Sequence, residues 1–98
     1  MRLAKFQKTS LERIKYTIDY TEWLDEGELL SVVNLNPDDP ALVIDGYLLN
    51  DDKTQVSYFV SGGVDGFSYT VHSQAQTSAG QLKEDYVLYF IKDIEDVN

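Results

Sequence analysis

The chain of 98 residues carries seventeen Asp and Glu against eight Lys and Arg, a formal net charge of −9, with one His, one Met, two Pro and no Cys. A chain this short makes one small domain with one core and leaves little for a deep, walled active site. Without Cys, and with His72 alone, disulfides, Cys or Cys/His zinc sites and Cys/His nucleophile pairs are excluded, and the acidic balance argues against nucleic acid, whose phosphates demand Lys and Arg.

The opening segment, MRLAKFQKTSLER, has no apolar run of signal-peptide length, and nowhere do about 18 apolar residues follow one another, so a soluble, cytoplasmically made protein with no membrane partner is expected. Charge is unevenly placed. Residues 1–15 hold Arg2, Lys5, Lys8, Arg13 and Lys15 against Glu12, a net +4, whereas from residue 16 onward Lys53, Lys83 and Lys92 face sixteen acids, a net −13. Residues 1–11 therefore read as a basic arm, dispensable for folding, 12–92 as the body, and 93–98 as an acidic tail that frays.

Ile14, Tyr16, Ile18 and Tyr20 alternate with Lys15, Thr17, Asp19 and Thr21, the period of a half-buried strand. A helix over the same stretch, opened by a Thr9 to Glu12 capping box, is the weaker reading, because Thr17 and Tyr20 favour strands. EWLDEG (22–27) follows as a connection with Trp23 and Leu24 tucked in as a plug. A second strand is expected over 29–35, an acidic loop over 36–40 bracketed by Pro37 and Pro40, and a third strand over 42–49 with a bulge or bend at Gly46. After the polar turn NDDK comes a fourth strand, 56–60, and then SGGVDG (61–66), the strongest turn in the chain. The fifth strand, 67–77, points Phe67, Tyr69, Val71, Ser73, Ala75 and Thr77 one way and Ser68, Thr70, His72, Gln74 and Gln76 the other. SAGQ turns the chain into a last strand over 84–92. Six strands, or seven if 3–8 pairs as well, with turn signals every eight to twelve residues, predict an all-β immunoglobulin-like antiparallel β-sandwich.

The clusters at Asn36 to Asp39, Asn50 to Asp52 and Asp65 hold oxygen donors of the kind calcium takes, yet their spacing follows no EF-hand, and short Asp/Asn runs beside Pro or Gly are ordinary turn formers. No carboxylate pair stands out for glycoside hydrolysis, no Gly-x-Ser-x-Gly elbow occurs, and SGGVDG lacks the Lys of a phosphate loop. His72 falls on the outward row of its strand and reads as a solvated side chain. The expectation is a protein without catalytic residues, metal or cofactor.

Aromatic residues make up 12% of the chain. Tyr69, three residues after Gly66, stands where a tyrosine corner would bond the backbone upstream. Tyr47, Tyr58 and Trp23 could form a stacking platform for sugars but read better as core. The last strand is apolar on both faces, through Tyr86, Leu88, Tyr89 and Phe90, so its second face must be covered. Two covers stay open: the chain's own arm, through Leu3 and Phe6, or another subunit. An uncovered strand of this kind invites aggregation, and a basic arm carrying Arg2, Lys5 and Lys8 would be drawn to an acidic neighbour.

Residues 66–80, GFSYTVHSQAQTSAG, together with YTIDYTEWLDEG (16–27) and the VSGGVDG before them, resemble small tailed-phage virion proteins described as phage fiber-tail adaptor proteins. The Tyr-x-x-Asp-aromatic-x-x-Trp-Leu pattern falls on Tyr16, Asp19, Tyr20, Trp23 and Leu24; the middle, 36–53, departs from it. The resemblance spans roughly residues 12–92. It implies a non-enzymatic structural virion protein, present in several copies and docked to other phage structural proteins in the tail or tail-fibre region. A capsid decoration protein is the alternative, and a carbohydrate-binding module a more distant one.

Overall fold

The period-two pattern becomes seven strands and no helix in the computed structural model, which describes residues 1–94. They are β1 (Arg2–Lys8), β2 (Ile14–Asp19), β3 (Leu30–Pro37), β4 (Leu42–Leu49), β5 (Gln55–Gly62), β6 (Ser68–Thr77) and β7 (Leu82–Ile91). One sheet has the order β1-β7-β6-β3 and the other β2-β5-β4. Immunoglobulin constant-type domains pair ABED against CFG. Here β2-β5-β4 takes the place of B-E-D and β3-β6-β7 that of C-F-G, while the first strand has moved to the second sheet.

That first strand is the seventh that pairing of 3–8 would add, and it refines two expectations. Residues 2–8 are not a free arm but a sheet strand, in register with β7 from Lys5 opposite Leu88 to Lys8 opposite Ile91. It also runs parallel to β7, so this sheet is mixed rather than purely antiparallel. The expected loop 36–40 begins only at Asp38, because β3 continues through Pro37 opposite Val71. Proline is tolerated there since β3 is a sheet edge, where a missing N–H breaks no ladder. Similarly β5 runs on to Gly62, shortening the glycine turn. The β4 bulge lies where Gly46 suggested, between Asp45 and Leu48. Of the expected acidic tail, residues 95–98 lie outside the described residues. Asp93 is bonded to the body: its carboxylate accepts the amide and hydroxyl of Ser10 at 2.6 and 2.8 Å, and its own N–H bonds Asp65.

Inward side chains of both sheets form one core, with Leu30, Leu35, Leu42, Val56, Val60, Val71, Val87 and Ile91 at its centre. Each removes a side chain worth roughly 1.5–3 kcal/mol from water. Two tyrosines are buried among them and satisfy each other, Tyr58 and Tyr89 with hydroxyls 2.8 Å apart. On the side where β1 and β2 form the sheet edges, Phe6 stacks 4.7 Å from Tyr16 and 5.7 Å from Tyr89. On the opposite side Tyr47 of β4 reaches across and donates its hydroxyl to the Leu35 carbonyl of β3 at 2.7 Å.

Candidate docking surfaces

Alternation on β7 sorts the expected interface residues. Asp85, Val87, Tyr89 and Ile91 point inward, and Tyr86, Leu88 and Phe90 stand outward, half-buried between their neighbours. Tyr89 is completely covered within its own chain and offers no surface. Lys8, beside Ile91, is only 2% exposed. Its ammonium donates to the carbonyls of Thr9 (2.7 Å), Glu12 (3.2 Å) and Gly62 (2.7 Å), and burial pulls its pKa below the usual lysine value against the opposing charges of Glu12 and Asp93. Both residues belong to the fold rather than to a free interface. Leu3 packs against the core, while Phe6 joins the aromatic cluster and keeps its outer edge exposed.

What the structure does bring together is the outer face of the β1-β7-β6-β3 sheet. Arg2, Tyr86 and Leu88 line an open depression with Thr70, His72 and Asp38. Lys5 continues the cationic border next to Leu88, and Phe90 extends the apolar stripe opposite Ser68.

The three residues given structural roles are placed as follows. Tyr69 accepts the Val64 N–H at 2.9 Å through its hydroxyl, the upstream backbone bond of a tyrosine corner. Gly66 has φ +87°, a conformation that side chains resist, and its N–H bonds the Ile91 carbonyl. Trp23 is half-buried, edge-on to Tyr20 at 5.9 Å, with the Lys83 ammonium 5.8 Å over its ring. Of the possible sugar platform, Tyr58 is core, but Tyr47 is 50% exposed, contrary to the core reading.

In each acidic cluster at least one side chain accepts a backbone N–H. Asp38 accepts the Thr70 N–H, Asp39 that of Ala41, Asn50 those of Thr54 and Gln55, and Asp65 that of Asp93. Among the described residues no group of three or more His, Asp or Glu side chains stands close enough to hold a metal ion. Glu28, in the β2–β3 connection, accepts bonds from the Thr77 hydroxyl, the Asp25 amide and Gln81, and these hold its carboxyl below the usual range, Thr77 most of all.

A second surface was not legible in the sequence. At the end of the sandwich where Asp93 ties Ser10 to Asp65, Leu11 (95% exposed), Ile94 (87%), Phe67 (60%) and Val64 stand out into solvent on three converging segments. Each is an isolated apolar residue within a polar loop, and isolated exposed residues carry no pattern. The Asp93 bonds, the turn that links Val64 to Phe67 and the backbone bonds of Ile91 to Gly66 and Phe67 gather them.

Fold and surfaces together define a small immunoglobulin-like sandwich that displays apolar surface on one sheet face and at one end. The family model for the podophage GP4 fiber-tail adaptor protein gp77 matches residues 8–89, and the chain belongs to that family. Among curated proteins no relative matches.

Proposed function

We propose that the chain is a non-enzymatic structural component of a tailed-phage virion, docked in several copies as an adaptor in the tail-fibre region. An adaptor joins two components and therefore needs two separate surfaces on a rigid body. The observation that carries the reading is the presence of two: the Tyr86, Leu88 and Phe90 stripe bordered by Arg2 and Lys5, and the Leu11, Val64, Phe67 and Ile94 end. Other phage structural proteins are the partners, and neither surface requires a cofactor, nucleic acid or membrane.

Replacing Tyr86 and Phe90 with Ser alters the sheet face, and replacing Leu11 and Phe67 with Ser alters the end, without touching the inward rows. Each double variant is expected to stay folded and to lose incorporation into particles in a complementation assay, with a different partner lost in each. Normal incorporation of both sinks the proposal. Decoration of the capsid rather than the tail, seen by labelling intact particles, would favour the decoration reading instead.

A further inference from the structure

We infer that a second copy of this chain docks side to side, the β1/β2 side of one copy against the β3/β4 side of the next. This deepens the several-copies reading above and shares with its first surface only the bordering Lys5 and Asp38, leaving the Tyr86, Leu88 and Phe90 stripe and the Leu11 end uncovered.

The two sides are oppositely charged. Residues 2–19, which span β1 and β2, carry five Lys and Arg against Glu12 and Asp19; Lys8 is buried and Arg13 reaches over Phe59 to Asp45, so Arg2, Lys5 and Lys15 are the cations this side presents. Residues 30–52, which span β3 and β4, carry Asp38, Asp39, Asp45, Asp51 and Asp52 and no Lys or Arg. All four strands are sheet edges, so each side presents unpaired backbone groups as well as charge.

Opposite charges also lie at matching heights. Lys5 is level with Leu88, Leu88 with Thr70, and Thr70 exchanges hydrogen bonds with Asp38 on the far edge of the same sheet. In the other sheet Lys15 is level with Phe59, and Phe59 with Asp45. Strands β1 and β3 run in the same direction, as do β2 and β4, so a copy displaced sideways brings Asp38 toward Lys5 and Asp45 toward Lys15 together. Asp45 already accepts Arg13 at 2.8 Å, yet its side chain is about half exposed, which leaves it open to Lys15 of a neighbour.

Apolar surface follows the same rows. Thr17 is level with Ser57, and Ser57 with Leu48, which protrudes from the bulge of β4 and is 68% exposed. The sideways step that pairs the charges therefore sets Leu48 beside Thr17 on the outer face of the β2-β5-β4 sheet, covering an apolar side chain that stands in solvent in a single copy. Such a contact is heterologous: each copy keeps one side free, and the chain of contacts closes into a ring or runs on as a filament.

Sedimentation velocity on the full purified chain tests this. Wild type is expected to self-associate with concentration at low salt and less at high salt. Leu48→Asp should weaken association about tenfold or more. Lys15→Glu and Asp45→Lys should each weaken it, and an equimolar mixture of the two should recover it, because each keeps the side the other has lost. Thermal melts establish that each variant is folded. A wild type that stays monomeric at low salt, or a mixture no better than its components, overturns the inference; docking to other virion proteins then still stands or falls by particle incorporation.

Discussion

The two ends of the sandwich each bury a charge, and they treat it in opposite ways. At one end Lys8 gives its three protons to the carbonyls of Thr9, Glu12 and Gly62, joining β1, the β1–β2 connection and the end of β5. At the other end Asp85, inward on β7 with its side chain fully covered, accepts no hydrogen bond on either oxygen among the described residues and is offset by ion pairs, to Lys83 at 3.3 Å and to the Met1 ammonium at 3.6 Å. A buried charge contributes to stability when hydrogen bonds replace its hydration, and otherwise opposes it. The first end should therefore be the firm one and the second the weaker.

Removing the Lys8 contacts breaks that comparison most severely. Lys8→Met keeps the apolar stem but leaves three carbonyls without their donor, and a loss of about 3 kcal/mol is expected, read as a fall in Tm. Deleting residues 1–8 removes in addition the whole of β1, including Phe6 from its stack with Tyr16 and Tyr89, and should unfold the domain rather than trim an arm from it. A truncated chain with an unchanged melting curve would restore the arm reading.

Residues 2–8 read as an arm as readily as a seventh strand for a physical reason. The sheet alternation of 67–77, the bulge at Gly46 and the tyrosine corner at Tyr69 are local signals, carried by neighbouring residues, and the seven-strand sandwich follows from them. RLAKFQK alternates weakly, and its charges suggest solvent. What makes it a strand is the edge of β7 and a carbonyl nest assembled from residues as distant as Gly62, neither visible in the segment itself. The outward row of Tyr86, Leu88 and Phe90 was legible because both faces of β7 are apolar, but which member faces inward depends on register, and Tyr89 fell on the buried side. The end formed by Leu11, Val64, Phe67 and Ile94 had no sequence period at all, since three separate segments build it.

Between the two charged ends lies a buried polar pair that is neutral, and pH separates it from both. Burial pushes the Tyr58 hydroxyl up to about 12 and raises that of Tyr89 further. Unfolded tyrosine ionises near pH 10, so above that pH the unfolded chain holds fewer protons than the folded one. Stability from the pair is therefore complete below about pH 10 and is lost as pH rises toward 12, by roughly 2–3 kcal/mol for the Tyr58 shift alone. Thermal melts between these pH values should fall steeply for wild type and less for the variant with Tyr58→Phe and Tyr89→Phe. Equal slopes would mean that the pair does not hold its protons as buried groups do.

The smallest effect is the one that sharpens the comparison most, because its sign is opposite at the two ends. Asp85→Asn removes the charge that lacks hydrogen bonds, and the groups it leaves behind are accessible to water: the Lys83 side chain is 27% exposed and the terminal ammonium 74%. Neither becomes a buried, unpaired ion, so the usual penalty for breaking a buried pair is avoided and a gain of about 1 kcal/mol is expected. Lys83→Ala acts in the other direction, since it strips the nearer counter-charge from a carboxylate that cannot reach water, and should lower Tm. If Asp85→Asn instead destabilises as Lys8→Met does, the two buried charges are equivalent and the weaker end must be sought elsewhere in the fold.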